Sequence, residues 1–456
     1  MSVERRRPEA AVVRQLLRSR TARNSYLNLA GLAVPLVIGV MLVPVTMRGL
    51  GIARFGLLSI ALTVLEYSTL FALGLGPATT RHVAESIAKN DDSTSDLVVM
   101  SIIGHIVLGA IGCCVIVLLA PFLANVVFDV PQSLRVEAVA VFRLIGLMVP
   151  TTLLLLSLFG ALEGAGRFGL VNLLRVPISA LSFIIPAFAV TRGVGLPAIL
   201  SFLVVLRLVV CLVLALIVGA TLPGYRWRWP RDWRRIRPLV TFGAWLSVSN
   251  VVSPTLVYAD RFILGAVRGL SAVGLYSAPF DAVMRLLMIP GSLARAMFPS
   301  VSALQSTAQR TTLQPLFRRA VTMVFLLMAG PVALLALFAP QLLEMWLGPQ
   351  VAAAMTTPTR ILALGLLFNA AAFVPSTFLS ALGRPDISAK FHLLELAIHL
   401  PLTWWLVSRY GIVGAATAWS ARVMFDSALL FWASRQALQT ASLPRFEDSA
   451  VVVGAT

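Results

Sequence analysis

The sequence predicts an all-α integral membrane protein, with about 12 transmembrane helices in two parallel six-helix bundles. Mean hydropathy is +0.89, and 58% of the 456 residues are hydrophobic whereas only 12% are charged. A soluble domain is about 25% charged and 45–50% apolar, so a soluble fold could not bury this much apolar surface. The apolar runs are long and continuous, which excludes a β-barrel of alternating strands. A soluble enzyme, a secreted disulfide-rich domain and a disordered chain are excluded as well.

Twelve segments are long and apolar enough to span a bilayer, which takes about 20 helical residues. The first run is too long for the core of a signal peptide, so we interpret it as a retained membrane anchor. The predicted spans are 26–47, 56–77, 97–120, 137–158, 170–190, 197–220, 239–258, 272–296, 319–340, 359–381, 388–408 and 411–433.

The distribution of Arg and Lys predicts the orientation of these spans. One alternate set of segments between the spans, beginning with residues 1–25, carries 21 Arg and Lys, and the other set carries 7. Because cytoplasmic loops are enriched in these residues, the first set is predicted to be cytoplasmic. Both termini then lie inside, as an even number of spans requires.

The chain also contains an internal repeat. Residues 51–61 (GIARFGLLSIA) resemble residues 269–279 (GLSAVGLYSAP), and residues 162–167 (LEGAGR) resemble residues 379–384 (LSALGR). The two offsets, 218 and 217, agree and are close to half the chain. Six spans per repeat give both halves the same orientation, an arrangement typical of transporters whose substrate path lies between the halves.

Three segments are predicted to lie outside the membrane. Residues 1–25 form a basic cytoplasmic N-terminal segment, and residues 434–456 form a cytoplasmic tail. Residues 221–238 interleave three tryptophans with six arginines, which is typical of a membrane interface. We interpret this stretch as a cytoplasmic interfacial linker between two six-helix bundles, 26–220 and 239–433. A nucleic-acid patch is the rival interpretation, which its position between spans disfavours.

The sequence contains no motif for catalysis, a cofactor or a metal. It lacks a P-loop, its four histidines form no zinc motif, and its three cysteines lack metal-ligand spacing. The predicted external loops are also short for a membrane glycosyltransferase. We therefore predict a protein that is not an enzyme and holds no cofactor.

Two stretches carry a resemblance to a known family. Residues 49–85 (GLGIARFGLLSIALTVLEYSTLFALGLGPATTRHVAE) and 258–280 (YADRFILGAVRGLSAVGLYSAPF) resemble the corresponding helices of bacterial O-antigen and exopolysaccharide exporters. These Wzx-like flippases belong to the MOP superfamily, which also includes the MATE drug exporters. The resemblance extends to helix number and layout over nearly the whole chain.

The resemblance implies that the two bundles enclose a central V-shaped cavity, lined by the first, second, seventh and eighth spans. It implies a substrate as well: an oligosaccharide linked to polyprenyl diphosphate, flipped between leaflets of the bacterial inner membrane. Membrane lipids, and a polysaccharide polymerase or export machinery, are the expected partners. No nucleic acid is expected.

Arginines within or beside the predicted cavity helices are candidates for binding the diphosphate. Arg81, Arg285 and Arg295 are predicted to form a cationic path from the cytoplasmic side towards mid-membrane, since guanidinium groups bind phosphate bidentately. A bend is expected at Pro290 and Gly291. The alternatives are interfacial anchoring for Arg81 and Arg295, and a structural pair with Asp281 for Arg285.

Other polar residues in the predicted spans are further candidates. Asn28 and Asn250 could hydrogen-bond sugars or a neighbouring helix. Glu66 and Asp281 are candidate ion- or proton-coupling residues, and Asp260 is a candidate gate. Each has a plain structural alternative: an ion pair, a hydrogen bond, or a place in the interfacial belt.

Two helical pairs near the C-terminus remain open between structural and functional roles. Glu395 and His399 are four residues apart, as are Arg422 and Asp426, so each pair shares a helix face. Both are predicted to pair within their own helix.

The preferred hypothesis is a flippase that works by alternating access. A cation-coupled exporter of the same fold is the main alternative, and it would require an acidic cavity. A membrane glycan ligase or polymerase is disfavoured by the short external loops.

Overall fold

The computed structural model of the chain describes residues 20–89, 94–222, 229, 252, 255–305 and 312–441; for residues 20–33, 305, 440 and 441 it describes the backbone only. The described residues are helical almost throughout. The chain divides into two compact units, residues 1–250 and 251–456.

Seven α-helices form the described part of the first unit. Short 3-10 turns follow α2 and precede α5, and a π-helical turn, Leu123–Val127, extends α4. The helices are α1 (Arg20–Leu50), α2 (Ile52–Ser68), α3 (Leu75–Ala88), α4 (Thr94–Phe122), α5 (Arg135–Gly164), α6 (Phe168–Thr191) and α7 (Leu196–Thr221).

Six helices form the described part of the second unit. They are α8 (residues 255–268), α9 (Leu270–Arg285), α10 (Met288–Gln305), α11 (Leu313–Leu347), α12 (Pro349–Ala381) and α13 (Pro385–Ala441).

Eight segments of the described chain are long and apolar enough to cross a membrane. They correspond to eight of the twelve predicted spans. Of the other four, 26–47 lies in α1, whose apolar described part is Val34–Leu50, and most of 239–258 lies outside the described residues. The remaining two, 388–408 and 411–433, both lie in α13.

Helix α13 is too long to cross a membrane once. Its 57 residues would extend about 85 Å at 1.5 Å per residue, against a hydrocarbon core of about 30 Å. The backbone breaks at Gly411 (φ 56°, ψ −126°), a conformation that only glycine adopts without strain. Arg268 of α8 donates hydrogen bonds to the carbonyls of Val407 and Ser408 just before the break, at 3.2 and 2.5 Å. Two arms result, residues 385–410 and 412–441, which agree with the two predicted spans.

The internal repeat is visible in the backbone turns. Three glycines with positive φ in the first unit have counterparts 217 or 218 residues later: Gly51 and Gly269 (78° and 82°), Gly166 and Gly383 (72° and 74°), and Gly193 and Gly411 (72° and 56°). The sequence motifs had already matched Gly51 with Gly269 and Gly166 with Gly383, whereas the pairing of Gly193 with Gly411 emerges only from the dihedral angles. The chain therefore turns at equivalent points in both units.

Packing in the first unit depends on close backbone approach and buried hydroxyl groups. An ideal Cβ on Gly109 of α4 would lie 2.6 Å from the Cα of Pro150 in α5, so only glycine allows the two helices to approach this closely. Nearby, Ser101 Oγ lies 2.5 Å from Thr79 Oγ1 and 2.8 Å from Ser157 Oγ, which joins α3, α4 and α5. Hydrogen bonds between helices satisfy polar groups that lipid cannot solvate.

Gly109→Ala is expected to lower the thermal stability of the purified protein, because the added methyl overlaps Pro150. Overpacking of this kind costs about 1–3 kcal/mol. Gly330→Ala is the matched control: Gly330 lies on helix α11 with no atom within 4 Å of an ideal Cβ. Its melting temperature should be unchanged or slightly raised by the better helix propensity of alanine. Equal melting temperatures for the two variants would contradict the packing account.

Candidate functional site

The second predicted span of the first unit is interrupted. Helix α2 ends at Ser68, a 3-10 turn covers Thr69–Ala72, and Leu73 and Gly74 adopt left-handed conformations (φ 46° and 68°) before α3 begins. A left-handed leucine is sterically unfavourable, so the surrounding structure imposes this turn.

The equivalent span of the second unit is interrupted as well. Helix α9 ends at Arg285, the chain turns at residues 286–287, and α10 begins at Met288. Pro290 contributes to this break because it has no N–H to donate to the carbonyl of residue 286. The bend predicted at Pro290 and Gly291 is confirmed, a few residues earlier than expected.

The two interruptions begin at corresponding places in the repeat. At the offset of 218, the turn at residues 286–287 maps onto residues 68–69, where the first interruption starts. In transporters with internal repeats, interrupted helices at matching positions mark the substrate site, because irregular backbone is tolerated where it lines a polar path. These two breaks are therefore the candidate functional sites, one in each unit.

In the first unit, the break is flanked by one acid and an apolar cleft. Glu66 is exposed and lies within electrostatic range of Arg207 on α7, whose guanidinium donates to Thr152 Oγ1 at 2.8 Å. A cleft of about 390 Å³ follows, with Tyr67 and Phe71 in its almost wholly apolar lining. The residues around this break suit a hydrocarbon chain better than a charged group.

Arg81 has an acidic partner. Its guanidinium forms an ion pair with Glu85 one turn later, at 2.8 Å, and His82 lies 3.4 Å from the same carboxylate. The hydrogen bond from Arg81 holds the pKa of Glu85 below its ordinary value, so this pair is ionised at neutral pH. Both side chains are about half exposed. A phosphate that binds Arg81 would have to compete with Glu85.

In the second unit, a polar cluster connects α8 to α9. Arg261 forms an ion pair with Asp281, and the Tyr276 hydroxyl donates to Asp260 Oδ2 at 2.6 Å. Asp260 is only 1% exposed and Arg261 5%, so neither belongs to an interfacial belt. The ring of Phe280 also lies 5.3 Å from the Arg261 guanidinium. The sequence placed Asp281 and Arg285 on one helix face, whereas Asp281 pairs with an arginine of the preceding helix.

The other predicted cationic residues of this unit lie at and beyond the break. Arg285 is the last residue of α9 and is partly buried, and Arg295 is exposed on α10. Of the remaining predicted ligands, Asn28 lies in α1 where only the backbone is described, and Asn250 lies outside the described residues.

A second buried cluster lies on the two arms of α13. Arg422 donates to Glu395 Oε2 at 3.2 Å, and His399 lies 3.2 Å from the Thr403 hydroxyl. Both predicted pairings within a helix, Glu395 with His399 and Arg422 with Asp426, are therefore wrong. The two arms pack against each other, and partners 27 residues apart come closer than partners four residues apart. Spacing on a single helix gave no signal of this contact.

Arg261→Met is expected to destabilise the protein, because it leaves Asp260 and Asp281 without their cation. Breaking a fully buried pair costs about 3–5 kcal/mol, an upper bound here since the Asp281 side chain is 47% exposed. The double variant Arg261→Met/Asp281→Asn should recover part of the lost stability. Thermal unfolding of the wild type, the two single variants and the double variant would measure this recovery. Strictly additive effects would show that the two residues do not interact.

The comparisons with known proteins agree with this architecture. Residues 45–356 match the model of a family described as "Polysaccharide biosynthesis protein". The chain is 31% identical over 422 residues to the "Putative O-antigen transporter" of Shigella flexneri, covering 90% of this chain and 96% of the relative. It is 21% identical over 433 residues to the "Probable flippase AglR" of Haloferax volcanii, covering 92% and 85%.

Solved structures show the same fold. An inward-facing MATE-family transporter of the MOP superfamily superposes with a TM-score of 0.76 at 17% identity, covering 91% of this chain and 98% of that one. A MOP superfamily transporter from Pyrococcus furiosus, described as having a binding pocket of reverse polarity, superposes with a TM-score of 0.63 at 18% identity, covering 94% of this chain and 98% of that one. The predicted resemblance and fold class are confirmed. The chain belongs to the polysaccharide biosynthesis protein family and is a multi-pass membrane transporter with the MOP superfamily fold.

Proposed function

We propose that this protein flips a polyprenyl-diphosphate-linked oligosaccharide from the cytoplasmic to the outer leaflet of the bacterial inner membrane. The transported glycolipid would supply a surface or extracellular polysaccharide. The relative from Shigella flexneri, which aligns over 96% of its length, is named a putative O-antigen transporter, and this name supports a saccharide cargo. Alternating access of the two units to either side of the membrane is the mechanism proposed with it.

The observation that carries the proposal is the position of Arg285 at the break between α9 and α10. A glycolipid with a diphosphate must bring its negative charge through a region where bare charge is strongly disfavoured. A guanidinium at an interrupted helix offsets that charge and fits phosphate oxygens with paired hydrogen bonds. Arg295 and Arg81 extend the basic character of the two interrupted spans, and we propose that all three contact the diphosphate.

The apolar cleft beside Tyr67 supports the same cargo. A lipid-linked sugar has a hydrocarbon tail that remains in the bilayer while its headgroup crosses. An almost wholly apolar cleft next to the break in the first unit provides a place for part of that tail. We propose that cytoplasmic termini and contact with a polymerase or export machinery accompany this role.

A cation-coupled small-molecule exporter is the second candidate. The exposed carboxylate of Glu66 at the break in the first unit favours it, since cationic drugs bind acidic sites. The two candidates differ in the sign of the charge that matters: arginines for a diphosphate, and carboxylates for a cation.

Arg285→Ala is expected to lower glycolipid export about tenfold or more at equal protein abundance, because charge-assisted hydrogen bonds to phosphate are lost. Arg409→Ala is the control, the same change at an exposed arginine of α13 outside the site. Export is measured as surface glycan in cells that lack the chromosomal gene. Equal export by the two variants would remove Arg285 from the site.

Deletion of the gene tests the cargo itself. Cells lacking the protein are expected to accumulate the polyprenyl-diphosphate oligosaccharide and to lose surface glycan, and the wild-type gene should restore both. Extracted lipids are analysed by mass spectrometry, which also identifies the sugars. Normal lipid intermediates together with new drug sensitivity would support the exporter instead.

A further inference from the structure

Among the described residues of the second unit, the buried part contains more acids than bases. Three carboxylates are almost fully buried, Asp260 (1% exposed), Glu395 (1%) and Asp426 (7%), and Asp281 pairs with the buried Arg261. The described cations that face them are the buried Arg261 and Arg422, whose side chain is 10% exposed. Since a carboxylate in a membrane interior is stable only when paired or neutralised, this network requires further positive charge.

Matching each acid with its partner shows where the charge is missing. Arg261 forms an ion pair with Asp281. Asp260 accepts hydrogen bonds from the Tyr276 hydroxyl and from the backbone N–H of Arg261. Arg422 donates a hydrogen bond to one carboxylate oxygen of Glu395, Oε2. Asp426 forms no ion pair among the described residues, and its Oδ1 has no hydrogen-bond partner there.

The acid without a cation lies beside a second carboxyl group. Oxygens of Glu395 and Asp426 and a ring nitrogen of His392 all lie within 4.8 Å of one another. Glu395 Oε1, like Asp426 Oδ1, is buried without a hydrogen-bond partner. Two ionised carboxylates at this distance repel each other, and neither can donate a hydrogen bond. One proton placed on either group removes the repulsion and supplies the missing donor.

A proton fits this cluster better than a metal ion. His392, Glu395 and Asp426 have the composition of a cation site, but Arg422 already donates to Glu395 at 3.2 Å. A guanidinium at that distance repels a second cation and occupies a carboxylate oxygen that the ion would need. With Arg422 balancing one negative charge, a single proton makes the pair neutral overall.

We propose that Glu395 and Asp426 share one proton within the membrane, with Arg422 holding the ionised member, and that this proton is exchanged during transport. The coupling rests on the proposed transport function. Among the residues that the structure describes, the other charged or titratable groups near the pair are His392 in the same cluster, His399 bonded to Thr403, and Asp260, which lies within electrostatic range of Arg422.

The fold provides a way for the proton to affect conformation. Glu395 lies on the first arm of α13 and Asp426 on the second, on opposite sides of the break at Gly411. Loss of the shared proton leaves two negative charges facing one arginine. Either the two arms then separate or the carboxyl pair takes up a proton again. Protonation of the pair and packing of the two arms therefore depend on each other.

Infrared spectroscopy of the purified full-length protein in phosphatidylcholine nanodiscs tests the shared proton directly. The wild type is expected to show a protonated-carboxyl band at pH 7 that disappears at higher pH. Asp426→Asn and Glu395→Gln should each lose it, because the remaining acid is then ionised against Arg422. Asp386→Asn is the control, an exposed acid paired with Arg384 and Lys390, and it should keep the band.

Absence of the band from the wild type at pH 7, or its persistence in both variants, would overturn the shared proton. Size-exclusion elution and amide bands establish that each variant is folded. Asp426→Glu keeps the acid and is expected to retain the band, so a loss in Asp426→Asn can be assigned to the proton rather than to altered packing.

Transport in vesicles tests the coupling separately. Glycolipid flipping by the wild type should vary with the pH difference across the membrane, whereas Asp426→Asn should lose that dependence. A band that disappears in Asp426→Asn while the pH dependence of flipping persists would show that the proton is structural only. A wild type that moves no glycolipid would refute the proposed function and leave the infrared result standing.

Discussion

The constraint on which this structure depends is the cost of an unsatisfied polar group in hydrocarbon. Every buried acid, base and hydroxyl must find a partner within the protein, because lipid offers none. In the first unit, Thr79, Ser101 and Ser157 meet this requirement with hydroxyl groups that join three helices. In the second unit, two ion pairs meet the same requirement, Arg261 with Asp281 and Arg422 with Glu395.

The same constraint limits where a membrane-spanning helix can be interrupted. A break in a span exposes backbone N–H and C=O groups that an unbroken helix would satisfy, so it persists only where the exposed groups are useful or protected. Both units break their second span at the same place in the repeat. The left-handed Leu73 shows that the first break is held against a steric penalty, and Pro290 gives a covalent reason for the second.

The two repeats share their backbone turns but differ in the side chains at equivalent positions. Glycines at equivalent turns keep nearly the same φ values in both units. The charged residues of the α8–α9 cluster and of the second break, however, have no charged counterparts in the first unit. At the offset of 218, Arg285 corresponds to Tyr67 and Asp281 to Thr63. Two similar frameworks therefore carry different sites: an apolar cleft beside one break and an arginine at the other. This division suits a cargo with a hydrocarbon tail and an anionic headgroup.

The sequence by itself determined the membrane class, the helix pattern, the repeat and the family, because hydrophobicity, turn glycines and motifs are local properties. It also located the bend near Pro290 and the boundary at Gly411. The partners of the buried charges were decided only by the tertiary structure. Spacing on one helix suggested Arg422 with Asp426, whereas packing of the two arms of α13 joined Arg422 to Glu395. In a membrane interior every charge takes the partner that packing brings within reach, and sequence spacing cannot reveal contacts between helices.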